Sequence, residues 1–187
     1  MGKFQKIETR LGGVLLVKPT IFSDTRGLFF ESYNKQEMAK IGVSADFVQD
    51  NQSCSGKGVL RGLHFQTKHP QAKLIRVLKG AIFDVVVDLR KTSPTKGHWI
   101  GVELSNSDSQ MIYIPVGFAH GFLSLEDDTI VLYKTTDFYH PESERGLRWD
   151  DPTIRIEWPL NKYGIKYPII SEKDRLLPPW HEVVSSF

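Results

Sequence analysis

The sequence predicts an all-β protein, a sandwich or barrel assembled from many short strands. Three observations carry this. Apolar, β-branched runs of strand length recur along the chain, turn residues separate them, and no long helical pattern intervenes. The 187 residues fit one domain, 1–187, with a sizeable core, and 40% hydrophobic against 25% charged residues is an ordinary globular balance.

Taken in order, Val14–Val17 and Leu28–Tyr33 read as the first strands. Asn34 to Ile41 reads as a helix, with Asn34 as the cap and Glu37 three residues later. Val59–Gln66 is a strand hinged at Gly62. Strict alternation would send Arg61 and His64 to opposite faces, whereas a bulge at Gly62 would turn both inward. Leu74–Leu78, Ile82–Leu89, Trp99–Leu104 and Met111–Ile114 follow, divided by Lys79-Gly80 and by Asn106-Ser107-Asp108. Pro115 to Gly117 turns the chain into His120–Leu125, and Glu126-Asp127-Asp128 turns it into Thr129–Thr135. Ser171 to Asp174 has the shape of a capping box ahead of a short helix that Pro178-Pro179 ends.

Charge and composition narrow the function. A net charge of +2, from 24 basic and 22 acidic side chains, gives no support for a broad nucleic-acid surface. It leaves room for a local basic pocket that takes a phosphorylated small molecule. No apolar run approaches the roughly 18 residues that span a membrane, and the N-terminus lacks the apolar stretch of a secretory signal. The single cysteine, Cys54, suits a reducing compartment, so the expected location is the cytoplasm.

The turn Pro115-Val-Gly117-Phe-Ala-His120 resembles the second half of the cupin signature, in which the histidine points into a small barrel. In the first half of that signature a glutamate ligand stands seven residues before a glycine. Counting back from Gly80 puts Lys73 at the glutamate and Thr67 and His69 at the two histidines. An ammonium group repels a metal ion, so no metal is expected there and a cation takes its place. His69 then reads as a surface loop residue. A cation inside a barrel is costly unless negative charge appears beside it. By residue chemistry alone, Lys73 could stabilise an oxyanion, form a Schiff base, or snorkel from a strand end.

Arg61-Gly-Leu-His64-Phe-Gln, Pro70-Gln-Ala-Lys73-Leu-Ile-Arg76 and Asp84-Val-Val-Val-Asp88-Leu-Arg90 together resemble the signature run of the dTDP-4-dehydrorhamnose 3,5-epimerase family. Further matches are Phe22-x-Asp24-x-Arg26-Gly-x-Phe29-x-Glu31, Gln49-Asp-Asn51, Tyr133-Lys134, Arg145-Gly-x-Arg148-Trp-Asp-Asp-Pro and Ser171-Glu-Lys-Asp174. They run in order from about residue 20 to residue 180. The resemblance implies a double-stranded β-helix, or jelly-roll, with a few short helices. It also implies a homodimer that uses no cofactor and inverts C3 and C5 of a dTDP-linked 4-keto-6-deoxyglucose.

Carried onto this chain, the resemblance makes His64 the base, Asp174 its partner, Lys73 the cation at the C4 oxygen and Tyr133 the acid on the opposite face. It assigns substrate binding to Arg26, Glu31, Gln49, Asn51, Arg61, Lys73, His120 and Glu144, with Phe22 and Phe29 as candidate stacking partners for the thymine. Plainer readings exist for several of these. Asp174 could be a helix cap, Tyr133 core packing, and Phe22 and Phe29 core. The same residues would also suit a C3-only or C5-only epimerase, a ketoisomerase, or a silent sugar-phosphate-binding domain.

Overall fold

The computed structural model describes residues 2–183 and Phe187. The strands in chain order are β1 (Phe4–Glu8), β2 (Leu15–Pro19), β3 (Phe22–Asp24), β4 (Gly27–Phe29), β5 (Gln49–Ser55), β6 (Val59–Gln66) and β7 (Lys73–Lys79). They continue with β8 (Ala81–Asp88), β9 (Trp99–Ser105), β10 (Met111–Ile114), β11 (Phe118–Ser124), β12 (Thr129–Thr135), β13 (Glu144–Gly146) and β14 (Ile169–Ile170). Helix α1 (Lys35–Lys40) lies between β4 and β5, and α2 (Glu172–Arg175) follows β14.

One sheet has the order β1-β2-β10-β7-β12-β5 and the other β13-β6-β11-β8-β9, with β14 added to β6 in parallel. Every other pairing is antiparallel. Two such sheets face each other as a cupin-like jelly roll. Alternation assigns the faces. Ile75 and Val77 of β7, Ile82 and Val86 of β8, Phe118 and Phe122 of β11 and Val131 of β12 meet in the core between the sheets. Their neighbours Val85, Val87 and Ala119 turn outward and are covered by Leu147, Ile154 and the tryptophans of the C-terminal run. On the far side Met38 of α1 and Val43 pack against Leu74 and Met111. Among the described residues no helix is long and apolar enough to cross a membrane.

Most expected strands are present to within a residue or two. Asn34 caps α1 by accepting from the Gln36 and Glu37 amides, and Ser171 caps α2 by accepting from the Asp174 amide. The predicted strand Leu28–Tyr33 is a correction: it stops at Phe29, because β4 pairs only with β3 in a hairpin outside both sheets. Beyond it, Phe30 lies under the Arg76 guanidinium and Tyr33 packs edge-on against Phe47. His120 sits inside β11, not at its start. The polar strand β5 has no apolar pattern to announce it. It forms because β12 pairs with it along its whole length, from Thr129↔Ser55 to Thr135↔Gln49.

Candidate active site

The open end of the barrel holds two adjoining cavities of about 320 Å3 and about 490 Å3, and His64, Lys73 and Tyr133 line both. Each volume is in the range of small-molecule sites. Tyr133 stands inward from β12 in register with Ile75, one inward step from Lys73 on β7. His64 comes from β6 in the opposite sheet, so base and cation face each other across the interior.

Gly62 explains why β6 can deliver both Arg61 and His64. His64 pairs with His120 and Arg61 with Phe122, so β6 spends one residue more than β11 over that stretch. This is a bulge, and it turns Arg61 inward alongside His64. Arg61 Nε then donates to Ser55 Oγ of the facing sheet at 3.2 Å. Gly62 has φ +108°, and a Cβ there would stand 2.6 Å from the Gly121 Cα. Only glycine fits this close approach of two backbones.

The His64 ring is held at one nitrogen. Its Nε2–H donates to Asp174 Oδ1 at 2.7 Å, while the Gly62 amide donates to Oδ2 at 3.2 Å. Asp174 is buried, yet these bonds hold its carboxyl below the usual carboxylate range in spite of the burial. The alternative reading of Asp174 as a cap fails, because Ser171 does the capping and the carboxylate faces His64. With the proton on Nε2, the lone pair of His64 is on Nδ1, which lies 3.9 Å from Glu144 Oε1. Glu144 is tied by Tyr139, whose hydroxyl donates to Oε2 at 2.7 Å, and by the Lys173 ammonium. These partners keep its carboxyl low against burial.

Lys73 makes no ion pair within 4 Å among the described residues. Burial pushes its ammonium down to about 8, and the negative charges of Asp84 and Glu144 oppose that shift. Asp84 is fully buried; its Oδ2 accepts from His120 Nε2 at 2.8 Å while Oδ1 has no hydrogen-bond partner. Tyr133 is half-buried, and burial raises its phenol, so the hydroxyl keeps its proton at neutral pH. A base with one free nitrogen, a neutral phenol and an under-paired ammonium therefore surround one space.

The other predicted binding residues do not all meet at the cavities. Gln49, Asn51, Arg61, His120 and Glu144 line the cavities. Gln49 donates to Asn51 and accepts from the Tyr139 amide. Arg26, Phe22 and Phe29 do not reach them; they form their own surface hollow on the β3–β4 hairpin, where Arg26 is paired with Asp24. Glu31 is engaged by Lys3 and Asn34. Gln66, Gln71, Tyr139 and Lys173 also line the cavities and were not singled out from the sequence, and nor was Asp84 behind them. A carboxylate at an inward position of the apolar run Ile82–Leu89 was the signal for Asp84. Tyr139 has no such signal, since it lies in a loop.

Fold and site describe a jelly roll whose cavities gather the groups that proton transfer on a small molecule needs. Comparison with known proteins narrows this, since a match to the dTDP-4-dehydrorhamnose 3,5-epimerase family spans residues 8–182. A dTDP-4-dehydrorhamnose 3,5-epimerase of Methanothermobacter thermautotrophicus is 51% identical over 97% of this chain and 97% of its own. The solved dTDP-6-deoxy-D-glucose 3,5-epimerase of Legionella pneumophila, in complex with dTDP-4-keto-L-rhamnose, superposes with a TM-score of 0.91. It is 42% identical, over 97% of this chain and 95% of that one. ChmJ, a 3'-monoepimerase of Streptomyces bikiniensis solved with dTDP-quinovose, is 32% identical with a TM-score of 0.83, over 91% of this chain and 85% of that one. This chain belongs to the dTDP-4-dehydrorhamnose 3,5-epimerase family.

Proposed function

We propose that this chain converts dTDP-4-dehydro-6-deoxy-D-glucose to dTDP-4-dehydro-L-rhamnose by inverting C3 and C5, a step of dTDP-L-rhamnose synthesis. The observation that carries the reading is the cavity shared by His64, Lys73 and Tyr133. A sugar C–H becomes acidic only when a neighbouring ketone can take the resulting charge onto oxygen. His64 Nδ1 removes the proton while Asp174 steadies the imidazolium that forms. Lys73 meets the oxyanion as it develops at C4, where a fixed cation lowers the barrier. Tyr133 returns a proton to the opposite face from its neutral phenol. Gln49, Asn51, Arg61, His120 and Glu144 hold the sugar and its diphosphate, and none of these steps calls for a cofactor.

The likeness to a 3'-monoepimerase supports a second reading, inversion at C3 alone. Incubation with the keto-sugar nucleotide in D2O, followed by proton NMR, separates the two. Solvent deuterium at both C3 and C5 is the expected result. Exchange at C3 only would select the second reading, and no exchange would reject both.

The working unit proposed here is a homodimer in the cytoplasm. Phe22, Leu28 and Phe29 are 52%, 62% and 68% exposed on a hairpin outside both sheets. An apolar projection of this kind fits a partner surface, and a second copy would bring Arg26, Phe22 and Phe29 to a site. The unpaired thiol of Cys54 supports the reducing compartment.

A further inference from the structure

Outside the cavities, two loops bring His69, Asp137 and His140 together. One atom from each, an imidazole nitrogen or a carboxylate oxygen, lies within 4.8 Å of the others. We propose that this cluster is a zinc site at the mouth of the barrel, separate from the proton-transfer machinery. Two imidazoles and a carboxylate are the donor set that Zn2+ takes when one position stays open. The carboxylate of Glu142, 3.3 Å from His140 Nδ1, adds negative charge beside it.

The backbone that carries the cluster is fixed. The buried amide of Gln66 donates to the His69 and Phe138 carbonyls at 2.7 and 3.2 Å and accepts from the His140 amide at 2.7 Å. Gln71 Nε2 donates to the Asp137 carbonyl at 2.8 Å. Asp137 Oδ1 accepts from the Phe138 amide, which leaves Oδ2 facing His69 Nδ1 at 3.4 Å. The bonds from Gln66 and Gln71 fix the backbone of both loops, and the Phe138 amide orients the Asp137 carboxylate itself, as outer hydrogen bonds do for ligands in metal centres. His69 itself is held at φ +57°, a conformation uncommon for a residue with a side chain. The two rings stack at 4.0 Å. Both are partly exposed, so rotation about the Cβ–Cγ bonds turns their nitrogens toward one centre. An ion there braces the loop that carries Tyr139.

The test uses the tag-free full chain, dialysed against a chelator and titrated calorimetrically with Zn2+. Saturable binding of one ion per chain is expected, with the absorption of a four-coordinate Co2+ complex when Co2+ is used instead. The H69A/H140A variant should bind Zn2+ at least tenfold more weakly while it keeps its turnover, which also reports that it is folded. His69→Ala and Asp137→Asn, each altering one partly exposed side chain, give the same reading should the double variant not fold. His64→Asn should bind Zn2+ as the wild type does. Absence of saturable binding, wild-type affinity in all three cluster variants, or loss of binding in His64→Asn would each overturn the site.

Discussion

At the scale of single residues, the role proposed for Lys73 carries a cost in stability. Its ammonium has moved from the ordinary 10.5 to about 8 because burial disfavours the charge. The folded protein therefore holds this proton less tightly than the unfolded chain does. Between about pH 8 and 10.5 the unfolded chain keeps the proton and the folded one sheds it, so this residue makes stability rise with pH across that window. At neutral pH the buried charge costs on the order of 3 kcal/mol. Lys73→Met should consequently raise the melting temperature at pH 7 while it lowers turnover by on the order of 10²–10³, by analogy with loss of one oxyanion stabiliser. Thermal melts and steady-state rates on the same variant measure both, and unchanged turnover would remove the enolate argument. In the wild type, kcat/KM should fall as pH rises through about 8, where the cation is lost. Lys73→Met should lack that alkaline limb.

At the scale of elements, the site depends on the bulge in β6. Gly62→Ala forces a Cβ to within 2.6 Å of the Gly121 backbone at a positive φ, and neither strand can yield without losing register. It should destabilise the fold by roughly 2 kcal/mol or more and depress turnover further by moving Arg61 against His64. Urea unfolding with single-substrate kinetics would detect both; a variant as stable and active as wild type would remove the bulge's role. This element was legible beforehand, because a glycine between Arg61 and His64 in an apolar strand has few other uses. So were β7, β8 and β12, which read as apolar, β-branched runs of strand length between turn residues. β5 was not, since its inward Gln49, Asn51 and Ser53 are polar, line the cavities and break the apolar pattern that announces strands. The false extension of β4 to Tyr33 has the converse cause: its aromatics satisfy a strand pattern while they pack against Arg76 and Phe47 instead. His69 shows the same gap in the site. Its partners Asp137 and His140 are some seventy positions away, and only the pairing of β7 with β12 brings their loops together.

At the scale of the whole molecule, the β3–β4 hairpin is where the proposed dimer can be tested. Phe29→Asp places a charge on its most exposed aromatic ring, 68% open in the single chain. Light scattering on the eluting protein should show a dimer for the wild type and a shift toward monomer for Phe29→Asp. If Arg26 and its aromatic neighbours serve a second protomer, KM should rise more than kcat falls. A dimeric variant with ordinary kinetics would show that the hairpin plays neither role.

The pair Asp174 and His64 lies 110 positions apart in the chain. His64, the proposed base, sits on β6, and Asp174 arrives on the four-residue helix α2. Until α2 docks against β6, the His64 imidazole lacks the carboxylate that fixes its proton on one nitrogen. On the proposed roles, turnover therefore requires the docking of the same segment that shields the outer face of the second sheet.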